Sequence, residues 1–501
     1  MDNKTLEFLK STEHRYHALG SLPNPKFDVL ARKIADEVHK VSLDPVSPSG
    51  ESRVVVDIVW VIMLFRQKII DRDKAVNLLN ALKAATDIPE FTGEDWLKTF
   101  LNGDEDTASS VNIGRTLQEP MSRIAIRKKL IELIDIAHDS LEEILKAAKD
   151  NADTIMVGHT HMSQAQPTTY GAYLVAIYDA LSRSLSSVDL AYAHTNMCSA
   201  GCGALSGTGW PVDRYMVSDL LGFDELVEPT YDCEAAQDYT MDILFSIANM
   251  MLTITRTSMD HEIWGLEEMG YFTVCGDFLG PSSLMPQKAH PGGRMESIRI
   301  YANNAISEAT KGMFALHGEP YQDILPIYNG WTSAWRAMSY AEGALTILGM
   351  YLPNMIIDKD RMLQLAEEGY SCMPDLVIKL VKEKGIGPRR AHRMCGTTVF
   401  LARKRKIKGN EITSELFNEA LSLNGEEAMD ITTEEIQEML NPIKFIQRHN
   451  NVGDPNPQET LRLIELRFDR LENMRKSQRQ RKDKLKAADI RVEQEMSDIL
   501  G

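Results

Sequence analysis

Apolar residues recur at helical spacing through the middle of this chain, and turn signals are scarce there. Between Met121 and Val157 there is no glycine or proline, and Pro120 stands where a helix would start. Ile124, Ile126, Leu130, Leu133, Ile134 and Ile136, then Leu141, Ile144 and Leu145, fall near a 3.6-residue period. A wholly helical run of this length would be on the order of 50 Å long. Ala172–Ala200 and Asp232–Trp264 are comparable, and Arg294–Lys311 and Trp331–Ala341 follow. Five long helices without intervening strand signals predict an all-α fold built on an up-and-down bundle.

Flanking segments are shorter and more punctuated. The pattern divides the chain into an N-terminal helical domain (1–110), a central bundle (111–352) and a C-terminal helical domain (353–501) that ends in a long charged helix. Val54–Val59 is the best strand candidate, and a buried helix fits it equally well. The run from Gln458 to Leu500 lacks glycine and proline and reads as helix. Its cationic stretch, Arg475–Lys486, is expected to be a solvated helix face.

Composition excludes several classes. With 501 residues, 43% hydrophobic and 25% charged, the chain has the content of an ordinary globular protein of two or three domains. A net charge of −17 argues against a nucleic-acid partner. Met1–Arg15 is polar and lacks a signal-peptide pattern, and the apolar stretches are too short or too interrupted to span a bilayer. The six cysteines (198, 202, 233, 275, 372 and 395) form neither a disulfide framework nor a zinc pattern. The expectation is a cytoplasmic protein with no metal, no cofactor and no membrane or nucleic-acid contact.

Residues 280–291, Gly-Pro-Ser-Ser-Leu-Met-Pro-Gln-Lys-Ala-His-Pro, carry the chemistry. Two adjacent hydroxyls, a lysine and three prolines precede a helix N-terminus, a source of N–H donors for an anion. Taken alone, Ser282 and Ser283 are ordinary turn residues. The segment resembles the SSxMPxKxNP signature of the fumarase/aspartase superfamily, with Ala289 and His290 in place of the usual Lys and Asn. Gly158–Met162 with Ala165-Gln166-Pro167 is similar to the GYTHLQ-x-AQP segment of argininosuccinate lyases. Gly203–Thr208 resembles their GSGALAGT turn, and Asp219–Asp224 their acidic segment. Lys384–Ile386 with Arg390-Ala391-His392 resembles the KG-x-x-FREAH stretch near the end of those chains. These landmarks stand in the family's order.

The resemblance implies β-elimination of an amine from an N-substituted aspartate, releasing fumarate. It needs a base, donors for the added charge, and an acid. By carry-over, Ser283 is the candidate base, Lys288 the charge stabiliser and His161 the acid, with Glu296 pairing the imidazole. Candidate substrate contacts are Arg115, Thr116, Gln118, His159, Thr160, Gln166, Ser282, Met285, His290 and Tyr321. The resemblance also implies a homotetramer whose active sites collect segments from three subunits.

Departures cluster on the side that would hold the leaving amine. The GRSRND segment of argininosuccinate lyases becomes Gly114-Arg115-Thr116-Leu117-Gln118-Glu119, and YNKDLQED becomes Tyr321–Tyr328. A pocket lined by Leu117, Ile324, Pro326 and Ile327 would leave an arginine end poorly satisfied. The expected substrate is therefore a different N-substituted aspartate, an aminopolycarboxylate being one class. Argininosuccinate lyase proper and a non-catalytic, crystallin-like structural protein are the alternatives.

Overall fold

A computed structural model of the chain describes residues 50–86, 93–116, 120–274, 284–285 and 291–501. Helices α1 (Gly50–Arg66), α2 (Arg72–Ala85), α3 (Glu94–Phe100) and α4 (Glu105–Ser109) come first. The strand candidate Val54–Val59 lies inside α1. Val59 through Leu64 are wholly buried there, because the helix is apolar on nearly all sides and is enclosed by its neighbours. Asp71 and Asp104 cap α2 and α4 by accepting the N–H groups of Lys74 and Thr107.

The central part holds α5 (Met121–Asp150), α6 (Tyr170–Thr195), α7 (Arg214–Leu220), α8 (Thr230–Ala235), α9 (Asp238–Trp264), α10 (Gly293–Leu316) and α11 (Tyr328–Tyr351). Five of them form the bundle: α5 packs on α6, α6 on α9, α9 on α10, α10 on α11, and α11 back on α5. Leu130, Leu133, Ile134, Ala137, Leu141, Ile144 and Leu145 make the buried stripe of α5, as their spacing predicts. Small residues let α10 approach closely. A Cβ on Gly312 would stand 2.3 Å from Leu244 Cδ1 of α9.

Short strands interrupt this all-helical picture. β1 (Ile155–Thr160) and β2 (Ser163–Thr169) form an antiparallel hairpin between α5 and α6. β3 (Met197–Cys198) pairs in parallel with β4 (Glu225–Leu226), and β5 (Phe272–Val274) pairs antiparallel with β6 (Met355–Ile357). The fold is still mostly helical.

Beyond the bundle come α12 (Lys359–Glu368), α13 (Met373–Lys384), α14 (Pro388–Arg405), α15 (Ser414–Leu423), α16 (Thr433–Leu440) and α17 (Pro442–Arg448). They enclose a separate core around Leu376, Leu380, Phe417 and Phe445. The last helix, α18 (Pro457–Leu500), is about 66 Å long and runs back over the rest of the molecule. Its Ile464 and Leu471 enter the bundle core, and Ile499 enters the N-terminal core.

The basic stretch of α18 is not simply solvated. Arg475 pairs with Asp139 and Glu142 of α5, Arg481 with Asp189 of α6, Lys482 with Asp135 and Lys484 with Asp224. Most basic side chains of the stretch are exposed, as expected of a solvated face, and these acids lie far away in sequence and meet α18 only in the fold. Among the described residues, no helix is long and apolar enough to cross a membrane.

Candidate active site

Four of the expected site residues stand on the β1–β2 hairpin. Thr160 pairs with Ser163, so His161 and Met162 form a two-residue turn with φ of +52° and +59°. Hairpin turns of this hand usually recruit Asn and Gly. Side chains held in the left-handed region carry strain of roughly 1–3 kcal/mol each, and such strain gathers at functional sites. His159, Thr160, His161 and Gln166 are all exposed.

A buried polar and aromatic platform holds this hairpin. Tyr170, the first residue of α6, lies 2.8 Å from His261 Nε2 through its hydroxyl. His261 Nδ1 lies 2.7 Å from the Thr257 carbonyl and donates to it, so Nε2 accepts the tyrosine proton. Burial pushes the pKa of His261 down, which favours this neutral form. Trp264 packs edge-on against Tyr170, Tyr173 and His261, and Phe272 of β5 against His261 and Tyr351. The α6 backbone sits hard against the end of α5, because a Cβ on Gly171 would fall 2.6 Å from the Ala148 carbonyl oxygen.

The same platform holds both flanks of the signature segment. β5 leads into it, and Tyr351 donates its hydroxyl to the carbonyl of Pro291 where it ends. Helix α10 begins at Gly293, with Glu296 exposed in its first turn. The hairpin and the start of α10 therefore share one end of the bundle. Ser282, Ser283, Lys288 and His290 lie outside the described residues, as do Leu117 and Gln118; Met285 is described and half exposed. Sequence reasoning missed Tyr170, His261 and Tyr351. Their one signal was a hydrogen-bonding ring inside an otherwise apolar helical stripe.

The remaining candidates lie at the opposite end. Arg115 is placed differently from a substrate contact: its guanidinium is buried against Asp57 and over the Trp60 ring. That pairing holds the 112–116 turn against α1, next to the half-buried Thr116. Tyr321 is exposed, donates to Asp232 Oδ1 at 2.8 Å and stacks on Tyr231. The hydrogen bond to Asp232, with some burial, pushes its phenol up to about 12. Tyr328 donates to Asp323 Oδ1 at 2.6 Å, and Trp331 to Gln237 Oε1 at 2.5 Å. Burial raises the pKa of nearby Glu234, which accepts a thiol hydrogen bond from Cys202. Ile327, expected to line a pocket, is only 3% exposed. It precedes α11 directly and packs inward, so it cannot face a substrate.

Residues 80–306 match a family model described as a lyase. The chain is similar to lyases of the fumarase/aspartase superfamily. An argininosuccinate lyase from Methanothrix thermoacetophila is 26% identical, with 88% of this chain and 91% of that protein aligned. The crystal structure of EDDS lyase in complex with formate superposes with a TM-score of 0.83 at 26% identity, covering 96% of each chain. A variant of EDDS lyase with bound fumarate gives 0.82 at 26% identity, over 96% of this chain and 97% of that one.

By these likenesses the protein is a carbon–nitrogen lyase similar to those enzymes. Among the described candidates, Thr116 and the hairpin residues stand far apart in one chain. The 30 residues of α5 separate Thr116 from the hairpin by about 45 Å. Between the two ends, α9 exposes Phe245, Leu252 and Met259 at heptad spacing. A second bundle can cover such a stripe, and an antiparallel arrangement would bring the two kinds of end together. Among the described residues, no group of side chains could hold a metal ion.

Proposed function

We propose that this lyase releases fumarate from an N-substituted aspartate whose leaving amine is not arginine, an aminopolycarboxylate being the favoured class. Ser283 takes the proton from the carbon beside a carboxylate. Lys288 and backbone N–H groups near the start of α10 hold the dianionic intermediate, where an oriented donor is typically worth roughly 3–4 kcal/mol. The C–N electron pair leaves with nitrogen, and His161 protonates it. Glu296 orients the imidazole. The sites are shared between subunits of a homotetramer, each uniting a hairpin end with a Thr116–Tyr321 end.

The segment at 321–328 carries the choice of amine. Tyr321 and Tyr328 already donate to this chain's own Asp232 and Asp323, and Ile324 and Pro326 add apolar surface. Both hydroxyl donors are thus engaged, and the apolar residues leave the amino-acid end of argininosuccinate poorly served, where unpaired buried polar groups discriminate strongly. The likeness to EDDS lyase supports the same reading. The curated argininosuccinate lyases, at 26% and 27% identity, favour arginine as the second reading.

The test is fumarate-dependent adduct formation, followed by mass spectrometry across arginine, diamines, amino acids and ammonia. A single non-arginine adduct, absent with Ser283→Ala, is expected. Cleavage of argininosuccinate at rates ordinary for its lyases would replace this reading with the second. No adduct with any amine would favour a structural protein.

A further inference from the structure

Under the β1–β2 hairpin lies a cavity of about 550 Å³, within the range of small-molecule sites. Its walls come from the hairpin, the first turns of α6, the last turns of α9 and the 453–455 connector ahead of α18. Met156, Val157, Ile263, Trp264 and Met269 make it largely apolar. One carboxylate, Asp260, is set into that wall. Its described partner is the Tyr173 hydroxyl, which donates to Oδ2 at 2.7 Å, and no cation is paired with it among the described residues. Burial, then the negative charge of Asp260, pushes the Tyr173 phenol well above its ordinary range. Tyr173 therefore stays protonated as a donor and offers no counter-charge.

A partly exposed carboxylate on an apolar wall, with no described cation paired to it, offers a negative charge to a cationic ligand. Tyr173 and Trp264 stand beside it with ring centroids 4.9 Å apart and planes at 72°, so aromatic surface is available to an ammonium group. His161 is not in the wall, but its neighbours His159 and Met162 are. We propose that this cavity binds a small molecule with an apolar body and a single ammonium group, and that its occupant acts on the turn carrying His161. His159 lines this cavity and is also a proposed substrate contact, so the proposal rests on the lyase reading for that residue, and amine binding that survives Asp260→Asn is assigned to the elimination site instead.

The experiment titrates benzylamine and n-hexylamine into the full-length protein by calorimetry, with fumarate saturating, and uses benzyl alcohol as the uncharged control. Saturable amine binding is expected in the presence of fumarate, weakened about tenfold or more by Asp260→Asn, with the alcohol unaffected. Ala176→Trp, at the exposed mouth, should block the amines while leaving the melting temperature unchanged. Absence of amine binding to the unmodified protein, equal affinity in Asp260→Asn, or displacement by fumarate would each overturn the proposal.

Discussion

At the hairpin end of the bundle, Tyr170, His261 and Tyr351 are buried, and His161 stands exposed above them. At the far end the arrangement is reversed, because Tyr321 donates to an acid at the surface while the basic residue nearby, Arg115, is buried. One end sets the proposed acid on a buried, hydrogen-bonded base. The other presents tyrosines that donate to this chain's own surface carboxylates. The two ends are about 45 Å apart in one chain, and the proposed sites unite them between subunits.

The largest expected effect tests that separation. His161→Asn should lower turnover by roughly 10²–10⁴-fold, the usual worth of a positioned acid. Thr116→Asp, which sets a negative charge against an anionic substrate, should also inactivate. Co-refolding the two dead variants should restore activity, since some sites in a mixed tetramer receive an intact residue from each. If the mixture stays dead while both variants assemble normally, sites are not shared in this way.

Next come two tyrosines, one from each end. Tyr170→Phe leaves the buried Nε2 of His261 without its donor, at a cost of about 1–3 kcal/mol. Tyr321→Phe, on an exposed side chain, should stay within about 0.5 kcal/mol. Urea unfolding monitored by circular dichroism checks both. Equal losses would mean that the two ends are not built differently.

The bundle was legible in the sequence because its stripes, such as Leu130 to Leu145, keep helical period over many turns. The hairpin was not. α5 stops at Asp150 within a stretch free of glycine and proline, where side chains replace the usual breaker. Asn151 donates to the Ala147 carbonyl, and Thr154 donates to Asn151 Oδ1. The expected helix from Asp232 to Trp264 is likewise two, parted at Ala236-Gln237, where Gln237 is held by Trp331 from a distant segment. His161, Thr160 and Glu296 were proposed from motif likeness, and the structure adds what motif could not, the hairpin turn that carries His161. The pairing of Arg115 with Asp57 was not legible because the two are remote in sequence.

pH should separate the ends by sign. His261 has a lowered folded pKa, so its contribution is present above the ordinary 6.5 and is lost as pH falls through the folded value. Glu234 has a raised folded pKa, so its contribution is full below the ordinary 4.5 and is lost as pH rises through the folded value. On acidifying from neutral pH, the melting-temperature advantage of the native protein over His261→Gln should shrink, and that over Glu234→Gln should grow. Changes of about 2 °C are expected. A common sign would contradict the burial assigned to one of the two groups.

The smallest effect concerns α18, which runs from beside the hairpin to the N-terminal core and so ties the ends together. Arg475 makes ion pairs of 2.9 and 2.7 Å to Asp139 and Glu142, with its side chain about a quarter exposed. Pairs of this kind are worth about 0–1 kcal/mol and are screened by salt. Arg475→Gln should therefore lower the melting temperature by about 1 °C in dilute buffer, and by nothing measurable near 1 M salt. The helix stays docked because Ile464, Leu471 and Ile499 are each about 1% exposed, an attachment that salt does not weaken. If salt alone releases α18, as increased proteolysis at 453–457 would report, ion pairing rather than burial holds the two ends in one body.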